Sequence, residues 1–202
     1  MTTLNAYASL LEYQNYVTAR GQTSTTDVTD DAVIEMLLKS ASRLMDNQTG
    51  RNFYPRVETR YYDVPDETGL DLRSLVLDGD LLEVISITNG DGVTIPSTEY
   101  TLRPKNTTPY LYIRLRDNST YIWASNSAGD FHDVIAVTGI WGYHVRYSSA
   151  WVLGSTLAEA LDTTETATDV TEGTSFLVGD TIRFDNEQAS VDAKATNTLT
   201  ET

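Results

Sequence analysis

The chain has 202 residues, no cysteine, and 29 acidic against 14 basic side chains, for a formal net charge of −15. Lack of cysteine excludes disulfides, thiolate metal sites and cysteine nucleophiles, and the charge argues against tight binding to a nucleic-acid backbone, which needs Lys and Arg to displace counterions. No apolar run reaches the ~20 residues that span a bilayer, and Met1-Thr2-Thr3-Leu4-Asn5 lacks the basic-then-apolar pattern of a signal peptide, so a soluble chain made where it folds is expected.

Ser9-Leu10-Leu11-Glu12 reads as a capping box opening a helix from Leu10 to about Arg20, with Gly21 as its stop. Gln22 to Thr29 is Thr-rich and reads as a loop. A second helix follows, capped by Thr29, favoured at its positive end by Asp30 and Asp31, and closed by Gly50. Val33, Ile34, Leu37, Leu38, Ala41, Leu44 and Met45 recur at helical spacing and make one broad apolar face. A face that wide needs a partner, either the first helix or a neighbouring subunit.

After Pro55 the period changes to two. Val57–Val64, Leu81–Thr88, Glu99–Leu102 and Tyr110–Arg116 read as strands, the last with Leu111, Ile113 and Leu115 on one face. Asp78-Gly79-Asp80 and Asn89-Gly90-Asp91-Gly92 are the strongest turn signals. Phe131–Trp141 is almost continuously apolar and predicts a strand covered on both faces. From about Leu153 the chain turns rich in Thr, Glu and Asp, and reads as a linker or mobile arm with a partial β module. Two short strands are expected there within Thr174–Phe184, around Val178-Gly179-Asp180. The expected class is α+β, with helical residues 1–55, an antiparallel β unit over 56–152, and the arm over 153–202.

Chemistry-bearing patterns are scarce. His132 and His144 lack metal-ligand spacing, and neither a Gly-x-Ser-x-Gly elbow nor a phosphate-cradling Gly-rich loop occurs. The Asn89–Gly92 segment lacks the closing Glu and alternating ligands of a calcium loop. Nothing nominates two carboxylates as a hydrolytic pair, no cofactor is suggested, and an enzyme is not expected. The 12 tyrosines suit either subunit interfaces or ordinary sheet packing.

Asp46-Asn47-Gln48-Thr49-Gly50-Arg51-Asn52-Phe53-Tyr54-Pro55 runs into Thr59-Arg60-Tyr61-Tyr62-Asp63-Val64-Pro65. Leu75-Val76-Leu77-Asp78-Gly79-Asp80-Leu81-Leu82-Glu83-Val84 follows, and later Trp141-Gly142-Tyr143-His144. This ordered series, over roughly residues 4–151, resembles the head–tail connector (adaptor, or head completion) proteins of long-tailed bacteriophages. The resemblance implies a virion protein of the neck, made in the bacterial host cytoplasm. It implies a ring of twelve copies docked on the portal protein, joined to a neck stopper or tail protein, with double-stranded DNA passing through without specific binding and no membrane involved. It further implies a helical body with an inserted β unit, and past Val178–Gln188 more strands and a closing helix, which this copy lacks or a longer polypeptide carries.

Candidate assembly contacts on this reading are Leu37, Leu44, Arg51, Phe53, Tyr54, Arg60, Tyr62, Trp141, Tyr143 and Trp151. The acidity then has two readings, solubility or a lumen that repels DNA so that it slides. Gln22–Thr29 or the tail are candidates to order on a partner. Competing readings are a stopper, tail terminator or other virion accessory subunit, a carboxylate hydrolase, and a carbohydrate-binding, adhesin-like β module stacking sugars on Trp123, Trp141 and Tyr112.

Overall fold

The computed structural model describes residues 6–21, 30–66, 71–162, 165–185 and 187–201. It is α+β: two N-terminal helices followed by antiparallel sheets. Residues 51–151 form one compact unit, and residues 1–50 with 152–202 group in a second.

Helix α1 (Leu10–Ala19) starts on the predicted capping box. The Glu12 amide donates to Ser9 Oγ at 3.2 Å, and the Ser9 amide donates back to Glu12 Oε2 at 2.7 Å. Helix α2 (Asp31–Thr49) ends at Gly50, whose φ of 64° is left-handed and whose amide reaches Asp46 O at 2.8 Å. Thr29, the expected cap, and the Gln22–Thr29 loop lie outside the described residues. Asp30 stands at the N-cap, without a side-chain bond to the helix amides. On its less exposed side α2 carries the half-buried Ile34 and Leu38 and makes several polar contacts. Tyr7 donates its amide to Ser42 Oγ at 2.9 Å and its hydroxyl to Asp46, Gln14 Nε2 donates to Asp31 at 3.3 Å, and Ser42 is the one buried residue of the helix.

The unit over residues 51–151 is a five-stranded antiparallel sheet of β1 (Arg56–Tyr62), β2 (Ser74–Thr88), β3 (Tyr100–Arg103), β4 (Tyr110–Leu115) and β5 (Ile135–Trp141), in the order β1-β5-β2-β4-β3. As its apolar run predicts, β5 lies inside the sheet and is covered on both faces. Ile135, Val137 and Trp141 join Tyr62, Leu75, Leu81, Ile87, Ile113 and Leu115 in the main core, whereas Ile140 packs with Leu82 and Tyr147 on the other side. The Asn89–Gly92 turn also forms. Asn89 donates its amide to Val93 O at 2.9 Å, and its buried side chain ties Ile122 O and the Ala124 amide to the turn.

Two strand-level expectations need correction. Asp78-Gly79-Asp80 is no turn, because β2 runs through it unbroken, while its pairing with β4 shifts register across it, between Val76 and Leu81. Leu111 faces solvent while Ile113 and Leu115 are fully buried; at that end of β4 it is Tyr110 that packs on the core.

The C-terminal stretch is more ordered than a linker or arm. Strands β6 (Ala167–Asp169), β7 (Thr181–Phe184), β8 (Glu187–Ala195) and β9 (Thr198–Glu201) make a sheet in the order β6-β9-β8-β7, around Val170, Ile182, Val191 and Leu199. Of the two strands expected within Thr174–Phe184 only β7 forms. A small sheet needs few inward apolar side chains, and threonine is a good strand former on the wet face, so the polar composition concealed it.

Candidate assembly surfaces

The α2 apolar face stays largely uncovered within the described chain. Val33, Met36, Leu37, Leu44 and Met45 are 52–60 % exposed, while Ile34 and Leu38 at the edge of that face are half-buried. Leu11, Tyr13 and Tyr16 of α1 add further exposed apolar surface. Val33, Leu37 and Leu44 fall within about 40° of one another around the helix and make one exposed stripe, with Met36 and Met45 on its opposite flanks. Such a stripe exceeds the scatter of single exposed apolar residues usual on a monomer, and covering it yields about 25 cal/mol per Å². Leu37 and Leu44, both predicted contacts, sit at the centre of this stripe, seven residues apart and so two turns along one side.

Four other predicted contacts come together where the chain enters the sheet. The Arg51 guanidinium lies over the Tyr143 ring at 4.1 Å, and Phe53 meets the same ring edge-on at 5.7 Å. The Tyr143 amide donates to Asn52 O at 2.7 Å, and the Gly142 amide to Asp80 O at 2.8 Å. A Cβ on Gly142 would stand 3.1 Å from the carbonyl of Tyr54, so the glycine lets the end of β5 close on this segment. Burial pushes the Tyr54 phenol above its ordinary pKa. Arg51, Phe53, Tyr54 and Tyr143 thus brace the entry to the sheet.

Arg60, Tyr62 and Trp141 form a third group, and two of them are misplaced as surface contacts. Trp141 is 1 % exposed, stacks on the buried Tyr62 with ring centres 6.4 Å apart, and donates its indole N–H to Glu58 O at 3.0 Å. Burial raises the Tyr62 phenol, whose hydroxyl donates to Asp78 at 2.7 Å. Arg60 covers the indole at 4.2 Å and bonds Asp78 at 3.2 Å. Tyr62 and Trp141 are therefore core, the indole N–H bonded to the Glu58 carbonyl and the Tyr62 hydroxyl reaching out to the exposed Asp78. Trp123 is buried too, its indole donating to Arg73 O at 3.1 Å, so the proposed sugar-stacking set shrinks to a half-buried Tyr112. Trp151, the remaining predicted contact, is half-buried and packs edge-on against Tyr147 at 6.0 Å.

One feature escaped sequence reasoning. A groove of about 890 Å³ is bounded by Tyr61–Asp66, by Leu72 and Ser74–Asp78, and by Phe131–Asp133. Tyr61, Leu72, Val76 and Phe131 are each more than half exposed along it. At one end Asp63 accepts from His132 Nδ1 at 3.1 Å and from the Asp133 amide at 2.8 Å. Those bonds hold Asp63 below the usual carboxylate range, and the hydrogen bond and charge of Asp63 raise His132. The available signal was Val76 and Tyr61, large apolar residues at positions that strand alternation turns outward.

No family model, no curated protein and no solved structure matches this chain.

No helix among the described residues is long and apolar enough to cross a membrane. No group of three or more His, Asp or Glu side chains among them is placed to hold a metal ion. The arrangement comprises an exposed apolar helix stripe, a braced entry segment, and a groove beside the sheet.

Proposed function

We propose that the chain is a structural assembly subunit, namely a head–tail connector adaptor of a long-tailed bacteriophage. In this role it docks on the portal ring, joins it to the stopper or next tail component, and forms part of the DNA channel at the virion neck. The observation that carries the assembly role is the α2 stripe of Val33, Leu37 and Leu44, which remain exposed together, with Met36 and Met45 exposed on its flanks. A helix in water pays for such a face only if a partner covers it in the working state. The adaptor identity rests on the Asp46–Pro65 and Trp141–His144 segments that carry the resemblance. Several of their residues, Arg51, Phe53 and Tyr143, build the braced entry to the sheet.

In a ring of twelve, α2 lies in the ring body and its apolar stripe packs on the neighbouring subunit. The excess of acidic side chains, 29 against 14 basic, lines the lumen and lets the duplex slide by repulsion.

Native mass spectrometry of the protein, alone and mixed with portal protein, tests this reading. A ring, or a monomer that becomes a ring subunit on the portal, is the expected result. A monomer that ignores the portal overturns it.

A further inference from the structure

We infer that the groove between β1 and β2 is a docking site for an extended, lysine- or arginine-bearing peptide segment of another protein, which adds to the sheet as a strand. The inference is independent of the ring reading, because the groove belongs wholly to the 51–151 unit.

The first argument is topological. Strand β1 pairs with β5 alone, and the first part of β2, Ser74–Val76, pairs with β4 alone. Each therefore has a long side with no strand partner among the described residues. The groove lies against Ser74–Val76 of β2 and the Tyr61–Tyr62 end of β1, and continues past that strand along Asp63–Asp66, where the Val64 amide already donates to Phe131 O. Its walls are runs of consecutive residues, Tyr61–Asp66 on one side and Ser74–Asp78 on the other. A sheet face offers every second residue, whereas an edge offers all of them. Edge-lined space is where a further strand adds through main-chain hydrogen bonds.

The second argument is size. Strand spacing, sheet spacing and rise together give roughly 160 Å³ per strand residue, so a groove of about 890 Å³ takes about five residues.

Side-chain chemistry selects the occupant. Tyr61, Leu72, Val76 and Phe131 supply apolar contacts for alternate side chains. The charged lining residues are Asp63, Asp66, Asp78 and Asp133, with His132 as the one basic group among them. Arg60 offsets Asp78 and His132 faces Asp63, which leaves the groove net negative at every pH where the aspartates are ionised. A peptide alternating apolar with cationic residues matches both features, and an acidic one is repelled.

The test uses the full chain and a capped octapeptide alternating lysine with valine or tyrosine, followed by amide chemical shifts. Binding is expected to shift Tyr61–Val64, Leu72–Val76 and Phe131–Asp133, and to weaken when salt rises from about 50 to about 500 mM. Val76→Lys places a cation in the groove at an exposed position, and should weaken binding roughly tenfold or more while leaving the Trp141 resonances unchanged. A peptide N-methylated at alternate backbone nitrogens should fail to bind. The inference is overturned by equal binding of the glutamate-for-lysine peptide or of the N-methylated one, or by shifts mapping elsewhere. It is overturned equally by no binding at millimolar peptide, or by concentration-dependent shifts of the same residues without peptide, which would assign the groove to a second copy of the chain.

Discussion

Arg60 and Gly79 occupy the same space from two strands: a Cβ on residue 79 would stand 2.0 Å from Arg60 Nη1. The glycine lets the guanidinium cross β2 to reach Asp78 while covering Trp141. Gly79→Ala therefore displaces Arg60 from both partners rather than clashing with backbone. A loss of about 1–2 kcal/mol in chemical denaturation is expected, the scale of a partly desolvated cation–π contact with its ion pair. In an Arg60→Met background the same substitution should cost at least ~0.5 kcal/mol less. Strict additivity would show that the two residues do not compete for this space.

This pair also explains a failure of sequence reasoning. Asp-Gly-Asp carries the chemistry of a turn, and only a side chain 19 positions earlier reveals why glycine is needed inside a strand. The elements set by local rules were legible: the capping box at Ser9 and Glu12, the Gly50 stop, the Asn89–Gly92 turn and the buried run of β5. Elements resting on distant pairing were not. The C-terminal sheet encloses Val170, Ile182, Val191 and Leu199, spread over 30 residues, and its Thr-rich wet face hides the alternation. Aromatic content left interfaces and sheet packing equally open, because whether a tryptophan faces solvent or core depends on where its N–H finds an acceptor. For Trp141 and Trp123 the acceptors are the carbonyls of Glu58 and Arg73, both far away in sequence.

Trp141→Phe tests the inward role of that residue. It removes the indole N–H from Glu58 O and leaves a gap beside Tyr62 in the main core. Destabilisation of about 1–3 kcal/mol is expected in urea unfolding. A change below ~0.5 kcal/mol would mean that Trp141 contributes little to the core and would restore it as a contact residue.

The double substitution Leu37→Glu with Leu44→Glu separates folding from assembly. Both side chains are more than half exposed, so the thermal midpoint of the isolated chain should stay within the range of ordinary surface changes, about 0.5 kcal/mol. Two carboxylates in the centre of the α2 stripe should abolish ring formation, read by sedimentation of the mixture with portal protein. A variant that unfolds would place this face in an intramolecular core. One that assembles normally would remove α2 from the interface.

The pair His132 and Asp63 titrates with opposite signs. Asp63 raises the His132 pKa above its ordinary 6.5, so the favourable interaction is fully present below 6.5 and is lost as pH rises through the folded value. Asp63 is depressed below 3.8 by the Asp133 amide and His132, so its contribution is present above 3.8 and is lost as pH falls through its folded value. The pair is complete between these limits. An NMR titration of the imidazole should give a midpoint above 6.5 that falls in Asp63→Asn. An unchanged midpoint in that variant would show that the carboxylate is not its cause.

Leu199→Ala addresses the C-terminal sheet directly. Leu199 is fully buried, and its backbone pairs with Thr168 on β6 and Lys194 on β8, so one side chain underlies three strands. Among the described residues its buried companions are Val170, Ile182 and Val191, with Phe176, Phe184 and Ala189 packed partly buried around them, so the cavity opens in a small core. A cost of about 2–5 kcal/mol is expected, which a sheet this small cannot absorb. Amide hydrogen exchange should therefore lose protection across Val191–Lys194 and Leu199, while Ile135–Trp141 keep theirs. Protection retained in β8 would mean that the sheet draws its stability from outside the four-residue cluster. Loss extending to β5 would instead make the two sheets one cooperative folding unit.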